Sequence, residues 1–172
     1  MHSTALHAQA SAPDFTSPQF RQALGQFATG VTIVTARSAS GELAGLTVSS
    51  FNAVSLQPPL VLWSLNKASA AMALLSEVSH YAIHILGADQ QALGERFAGP
   101  REQRWPGQAW QAAACGAPLL PGCVAVFECF NRSQYDEGDH VIFVGEVERC
   151  RSDTGRSPLL YHGGRFHTEH AL

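Results

Sequence analysis

This chain of 172 residues has no long apolar run and no cluster of basic residues, and we expect no targeting segment. No window approaches the roughly 18 consecutive apolar residues of a spanning helix, and the N-terminus lacks the cationic and apolar blocks of a signal peptide. We therefore expect a cytoplasmic protein without membrane contact. The net charge is −3 and the basic residues are scattered singly, which argues against a nucleic-acid partner.

The common catalytic signatures are also missing. The sequence contains no G-x-S-x-G elbow, no Walker loop, no G-x-G-x-x-G after a strand and no pair of carboxylates in an apolar setting. One way for such an enzyme to work is to leave the difficult chemistry to a bound cofactor, while its polypeptide supplies binding and orientation.

Metal-site patterns are equally scarce. The four cysteines never form C-x-x-C, so we expect free thiols that are buried or half-buried. Three histidines, His162, His167 and His170, crowd the C-terminal end. No two histidines have i, i+4 spacing on a credible helix with a carboxylate partner, so we expect no metal site.

The composition is that of a globular domain. Apolar residues make up 45% of the chain and charged residues 15%, which excludes disorder for the bulk of it. The length accommodates one domain. We predict a flexible N-terminal tail over residues 1–14 and a single domain over residues 15–172.

Three helices are predicted. The first is an amphipathic helix that ends near Gly30 and packs on the core. It is indicated by Ser17 as N-cap, by Pro18 at the first helical position and by an apolar stripe through Phe20, Leu24 and Phe27. Residues 68–78 have helical composition with Ser69 able to cap. Residues 89–98 show helical spacing and stop at Gly99-Pro100.

Strand patterns dominate the rest of the chain. They cover residues 31–36, 45–51, 60–65, 80–86, 124–130 and 140–150, with a turn at Pro58-Pro59, a turn-rich stretch over 131–139 and a long loop over 100–122. In the fourth strand, His80 and His84 are expected to face solvent or a second surface. Without regular strand–helix alternation, the fold is predicted to be mainly β with flanking helices, an antiparallel barrel.

Two short segments are candidates for anion binding. Hydroxyls and amides cluster at the end of a strand in Thr47, Val48, Ser49 and Ser50. Asn66, Lys67 and Ser69 stand at the start of a predicted helix, where free N–H groups, the helix dipole and a lysine charge suit a phosphate. An ordinary strand edge, a helix cap and a solvated lysine explain the same residues.

The triplet Gly138-Asp139-His140 opens the last long strand. It is typical of a tight turn in which glycine takes positive φ and Asp139 bonds the following amide. It also suits a ligand-facing histidine at the end of a strand, and the residues alone leave both interpretations open.

Together these segments resemble a known family. In order and spacing, FATGVTIVTA (27–36), GLTVSSFNAVSLQPPLVLWSL (45–65), Gly138-Asp139-His140 and SPLLYHGGRF (157–166) are similar to the small flavin reductases that supply two-component flavin monooxygenases. The resemblance covers residues 15–168. It implies an antiparallel split β-barrel, an FMN-binding split barrel, that forms a homodimer and uses NADH or NADPH to reduce FMN or FAD.

The resemblance also assigns residues. Flavin contacts fall at Thr47, Val48, Ser49 and Ser50, and Asn66, Lys67 and Ser69 close the phosphate end. His140, the catalytic candidate, helps to seat the nicotinamide, and Phe97 borders the flavin or its adenine. The C-terminal residues Tyr161, Gly163, Arg165 and Phe166 line the same site, from the same chain or from a partner subunit. The family often has tyrosine where Phe166 stands.

The implied activity is hydride transfer from a nicotinamide to a shallowly bound flavin, which a partner monooxygenase then accepts. Two other functions fit the same barrel: a non-enzymatic FMN-binding protein or electron carrier, and an oxidase acting on a phosphorylated pyridoxine-like substrate. The second of these requires more converging Arg or Lys than the chain offers. FMN or FAD depends on the loop over 101–122, and the choice of NADH or NADPH stays open.

Overall fold

The computed structural model describes residues 11–170. Residues 1–10, which hold most of the predicted tail, and residues 171–172 lie outside the described residues. The helices are α1 Ser17–Leu24, α2 Met72–Glu77, α3 Gln91–Ala98 and α4 Arg101–Arg104, with a 3₁₀ turn at Ala88–Gln90. The strands are β1 Thr29–Gly30, β2 Thr32–Arg37, β3 Leu43–Val48, β4 Asn52–Leu56, β5 Pro59–Asn66, β6 His80–Ile85, β7 Gln111–Ala112, β8 Pro118–Leu119, β9 Ala125–Glu137, β10 His140–Ser152, β11 Leu159–His162 and β12 Arg165–Thr168.

A seven-stranded antiparallel sheet organises the molecule, in the order β3-β2-β6-β9-β10-β5-β4. A small sheet, β1-β11-β12, extends from the start of β2, and β7 pairs with β8. The mainly β, antiparallel prediction is confirmed. No helix in the described part of the chain has the length and apolarity needed to cross a membrane.

The sheet curls so that its two edges meet at one end. β3 leads directly into β4, so a single run of chain forms one edge and then the other. At the junction, the Ser50 hydroxyl donates to the Ser64 carbonyl at 3.2 Å and accepts from the Ser64 N–H at 2.9 Å. Ser64 lies on β5, so these two bonds continue the β4–β5 pairing into the connection from β3. β3 itself has no ladder with β5, and a sheet left open in this way has the geometry of a split barrel.

Beyond this bridge the edges separate. We call the cleft between β3 and residues 66–71 the split. Part of it is a cavity of about 40 Å³ lined by Leu43, Ala44 and Gly45 on one side and by Ser69, Ala70 and Ala71 on the other.

Alternating side chains of the strands fill the barrel. Trp63 is fully buried, stacks on Phe143 with ring centroids 4.5 Å apart and meets the edge of Tyr81 at 5.6 Å. Leu75 of α2 packs into the same cluster. Burial of these large side chains is the main source of stability for the barrel.

A second cluster lies on the outer face of β2 and β3. Phe97 of α3 is fully buried and meets Trp105 edge-on, with ring centroids 5.1 Å apart. Gly45 is required here, because a Cβ at this position would lie 2.5 Å from the Phe97 ring. Thr47 Oγ1 donates to the Gly94 carbonyl at 2.6 Å and fastens α3 to the sheet.

The first helix differs from its prediction. It ends at Leu24, well before Gly30, and its N-cap is Thr16, whose side chain forms a capping box with Gln19. None of its residues is buried in the single chain, and Phe20 and Phe27 are 50% and 74% exposed. The apolar stripe is therefore not a core face of this chain.

The α2 region and the β9–β10 hairpin also correct the predictions. Helix α2 begins at Met72 rather than Ala68, because the Asn66 and Ser69 side chains bind the backbone N–H groups of Ala68 and Ala71 and hold residues 66–71 in turns. The stretch over 131–139 is mostly strand: β9 continues to Glu137, and a two-residue turn leads into β10. Its composition resembles a loop because most of its side chains are polar and exposed, although its backbone pairs with β10 on either side of a bulge at Arg132.

Three further features were missed or misplaced. The loop over 100–122 contains α4 and the β7–β8 pair, and residues 157–166 supply a β11–β12 hairpin that turns through Gly163 and Gly164. Cys150 is exposed, unlike the other three thiols.

His84 does not face solvent. Its imidazole is fully buried, its Nδ1 lies 3.1 Å from the Ile33 carbonyl and its Nε2 accepts from the Leu120 N–H at 3.1 Å. Both ring nitrogens are satisfied by a neutral Nδ1–H imidazole. Of the two alternatives, solvent is therefore excluded for His84, and its ring packs against a second surface at Leu120. Because β6 is covered on both faces, alternation along it does not indicate solvent exposure.

We predict that His84 makes folding pH-dependent. Burial lowers its pKa to about 4 in the native protein, from about 6.5 in the unfolded chain. Below pH 6.5 the unfolded chain therefore binds a proton that the native protein excludes. The stability present above that pH is lost as the pH falls toward 4, by about 3 kcal/mol at most.

Urea unfolding between pH 7 and pH 4.5 measures this loss. His84→Gln should be less stable at pH 7 and should lack the histidine part of the slope, whereas His162→Gln, at an exposed position, should keep it. Identical slopes for wild type and His84→Gln would contradict the assignment.

We also predict that Ser50 holds the connection between β3 and β4 against β5. Ser50→Ala removes both hydrogen bonds to Ser64 and should cost about 1–2 kcal/mol. Hydrogen exchange at the Ser64 amide should become faster. The matched control is Ser49→Ala at the adjacent exposed position, expected to change stability by less than about 0.5 kcal/mol. Equal stability of the two variants would show that the bridge is dispensable.

Candidate active site

Strand register brings three of the predicted segments to one end of the barrel. Val48 pairs with Thr32, and His140 pairs with Asn66. Continuing the Asn52–Leu62 pairing through the Ser50–Ser64 contact places Val48 level with Asn66. We call Thr32, Val48, Asn66 and His140 the end row.

The four residues Thr47, Val48, Ser49 and Ser50 differ in which of their groups are available to a ligand. Val48 is buried with its side chain in the barrel, so only its backbone faces the split. The hydroxyls of Thr47 and Ser50 donate hydrogen bonds to the carbonyls of Gly94 and Ser64. Ser49 is exposed. Because β3 is an edge strand, its backbone groups on the side of the split have no ladder partner.

The second segment folds into a compact turn at the end of β5. Asn66 Oδ1 accepts from the Ala68 N–H at 2.8 Å, and Ser69 Oγ accepts from the Ala71 N–H at 3.3 Å. Lys67 Nζ donates to the Gly138 carbonyl at 3.0 Å and lies 3.7 Å from Asp136. The lysine charge thus lies at the end row. The prediction that these residues stand at the start of a helix is wrong, because α2 begins five residues after Lys67, at Met72.

The hairpin turn joins this segment. Gly138 has φ +57°, as predicted, and the Lys67 N–H donates to the Asp139 carbonyl at 2.9 Å. Asp139 Oδ1 lies 2.7 Å from His140 Nδ1. This hydrogen bond, followed by the imidazole charge, lowers the pKa of the Asp139 carboxyl. His140 is partly exposed.

The C-terminal hairpin lies at the same end of β2. Gly30 pairs with Leu160 and Thr29 with Tyr161, next to the Thr32 end of the end row. The Tyr161 and Phe166 rings are 5.3 Å apart and tilted edge-on, Gly163 donates its N–H to the Gly25 carbonyl, and Arg165 is exposed.

Phe97 does not belong to this group. Its ring is fully buried between α3, Trp105 and Gly45 and offers no surface to a ligand. We therefore correct its assignment: Phe97 supports β3 from behind. A bulky apolar residue at helical spacing gives no signal that separates these two roles.

Sequence reasoning missed the polar residues of α4. Arg104 donates to the carbonyls of Gly45 and Gly99, and Arg101 pairs with Glu42. Both arginines line the split cavity. Desolvation lowers the pKa of Arg104. Only the folded contacts reveal these roles, because α4 lies within a stretch without clear periodicity.

A larger cavity of about 920 Å³ opens beside the split, between the β2–β3 turn and α2. None of the predicted site residues lines it. It has no aromatic wall, whereas the end row carries unpaired strand backbone, a lysine and a histidine, so we place the candidate site at the end row. Among residues 11–170, no group of three or more His, Cys, Asp or Glu side chains is arranged to hold a metal ion.

Curated relatives are similar to almost the whole described chain. The FMN reductase (NADH) SmoA of Agrobacterium fabrum is 47% identical over 150 residues, which cover 87% of this chain and 84% of the relative. The reductase component of the flavin-dependent trigonelline monooxygenase of Acinetobacter baylyi is 37% identical over 87% of this chain, and the chain spans about half of that relative, 48% of its length.

Solved structures have the same fold. The NADH:FAD oxidoreductase SgcE6 of Streptomyces globisporus, solved in complex with NAD and FAD fragments, superposes with a TM-score of 0.84 at 36% identity, covering 93% of this chain and 96% of that one. Residues 24–170 match the family described as flavin reductase like domain. The resemblance drawn from the motifs is confirmed: the chain belongs to the flavin reductase-like family.

Proposed function

We propose that this protein is an NAD(P)H-dependent flavin reductase that takes FMN or FAD as an exchanging substrate and supplies the reduced flavin to a partner monooxygenase. The observation that carries the proposal is the end row, where register brings the Ser/Thr segment, Lys67 and His140 to one end of the split. Family membership supports it. Relatives include reductases named for NADH and FMN or FAD, and reductase components of monooxygenases.

The residues present fit a flavin. The edge of β3 offers unpaired backbone N–H groups, Ser49 offers a hydroxyl and Lys67 offers a cation, which form a donor-rich set. The flavin ring system and its phosphate are rich in acceptors. Bound there, the flavin supplies an N5 atom that takes up a hydride from C4 of the nicotinamide.

The chain's own residues bind and orient in this proposal. Backbone groups of Val48 and Ser49 hold the ring system, while Ser50 fixes the position of this segment through Ser64. Lys67, Asn66 and Ser69 hold the phosphate end, and His140 seats the nicotinamide. Tyr161, Arg165 and Phe166 border the site from the C-terminal hairpin. No protein base is needed, because hydride transfer between stacked rings moves no proton from a side chain.

We also propose a homodimer. Several large apolar side chains are exposed in the single chain: Phe20, Leu24 and Phe27 near α1, and Val54 and Leu56 on β4, with Leu56 91% exposed. Groups of exposed large apolar side chains are typical of subunit interfaces. Sedimentation velocity of the intact chain measures the mass, and a monomer at assay concentrations would contradict the proposal.

The activity is tested by mixing the protein with NADH or NADPH and free FMN, FAD or riboflavin and following loss of nicotinamide absorbance. Turnover that requires added flavin is expected, and the same assay identifies the preferred pair of substrates. A yellow protein with stoichiometric flavin and no turnover would instead favour the flavin-binding carrier. Absence of both turnover and flavin binding would contradict a flavin site altogether.

We predict that Lys67 distinguishes phosphorylated from unphosphorylated flavin. Lys67→Gln removes an exposed charge and should weaken FMN binding about two- to fivefold. Riboflavin, which has no phosphate, should bind as it does to wild type. Fluorescence titration of both flavins measures the difference. Arg132→Gln, which removes a charge paired with Glu146, is the matched control and should alter neither affinity. Equal weakening of both flavins by Lys67→Gln would place the phosphate elsewhere.

A further inference from the structure

The turn before His140 is fixed from two sides. Gly138 and Asp139 form the two-residue connection between β9 and β10, and the positive φ of Gly138 suits the first central position of a hairpin turn. Lys67 holds both turn carbonyls, Gly138 through its ammonium group and Asp139 through its backbone N–H. These two hydrogen bonds hold the turn backbone against the end of β5. They therefore also fix the position of the Asp139 Cα, from which its side chain extends.

The carboxylate and the imidazole meet at a defined atom. Asp139 Oδ1 is 2.7 Å from His140 Nδ1, a normal length for a charge-assisted hydrogen bond. The pKa of Asp139 lies below its usual range, so the group is ionised at neutral pH. An ionised carboxylate only accepts hydrogen bonds, so the shared proton resides on Nδ1.

The position of this proton also determines the hydrogen-bonding role of the other ring nitrogen in the neutral imidazole. With the proton on Nδ1, Nε2 carries the lone pair and acts as an acceptor. The other charged groups near the ring are Lys67, Asp136 and Glu137, the last of which pairs with His140 across the hairpin. Within residues 11–170, the Asp139 carboxylate is the side chain that bonds the imidazole.

We propose that Asp139 is a positioning residue that keeps neutral His140 in the Nδ1–H tautomer, so that Nε2 accepts a hydrogen bond from the carboxamide N–H of the nicotinamide. The second half of this statement rests on the proposed function, and the first half does not. The inference gives His140 a defined direction of hydrogen bonding, which the motif alone leaves open.

The tautomer is measured without any ligand. Two-dimensional ¹H–¹⁵N spectra of histidine-labelled protein distinguish the two nitrogens of a neutral imidazole, with His140→Ala providing the assignment. Wild type is expected to show protonated Nδ1, and Asp139→Ala is expected to shift the population toward Nε2–H. Asp136→Ala removes the same charge from the same hairpin and should keep the Nδ1–H form. An Nε2–H imidazole in wild type would overturn the proposal.

Steady-state kinetics test the link to the nicotinamide. Asp139→Ala should raise KM for the preferred nicotinamide about two- to tenfold, the loss expected for one hydrogen bond, while KM for flavin stays within about twofold. In the His140→Ala background, Asp139→Ala should have no further effect, because it acts through that ring. Equal effects of Asp139→Ala in both backgrounds would contradict the positioning role.

Different results would contradict the tautomer held by Asp139 and the hydrogen bond between His140 and the nicotinamide. A wild-type protein that binds flavin but does not oxidise NADH or NADPH would remove the nicotinamide from the proposal, together with the proposed function, whereas the NMR result would stand. An active wild type with an unchanged tautomer in Asp139→Ala would remove only the role of Asp139.

Discussion

The bridge from the Ser50 hydroxyl to the Ser64 backbone is the constraint on which the rest of the structure depends. A seven-stranded open sheet has two edges with unpaired backbone groups, and such edges are usually covered or closed. Here one run of chain, β3 followed by β4, forms both edges, and the Ser50 side chain fixes the connection between them to β5. From this contact β4 continues in a ladder with β5, whereas β3 and residues 66–71 stay apart as the split.

This geometry explains why binding groups gather at one end. Closure at Ser50 brings the end of β3 beside the end of β5, and β5 in turn pairs with the start of β10. Residues far apart in the sequence, such as Asn66 and His140, thus become neighbours. Lys67 then ties the β5 turn to the β9–β10 turn, so the cation, the aspartate and the histidine are held in one place. A shallow site with few buried charges suits a ligand that must arrive and leave.

Much of the fold could be predicted from local patterns. The β2–β3 hairpin, β5 after Pro58-Pro59, and α3 with its stop at Gly99 follow from β-branched runs, prolines and helical spacing. The errors arose where tertiary contacts override local composition. α1 ends early with its apolar stripe unburied in the single chain, β9 runs through polar residues that resemble a loop, and His84 is buried because both faces of β6 are covered.

The site was less accessible to sequence reasoning than the fold. The segments around Thr47 and Lys67 were identified as polar clusters at the ends of elements, and register brings them together. The remaining features of the site depend on contacts between distant segments. These features are the hydroxyls of Thr47 and Ser50, which are already hydrogen-bonded within the chain, the buried side chains of Val48 and Phe97, and the roles of Arg101 and Arg104. Motif resemblance names positions, whereas the folded contacts decide whether a side chain or its backbone is available.

A crystal structure of the protein soaked with FMN would test the central claim most directly. The account predicts that the ring system lies along the split against the end of β3, with its phosphate beside Lys67 and Ser69 and with His140 at the rim. Density for FMN on a surface remote from the end row, such as the cavity between the β2–β3 turn and α2, would contradict it.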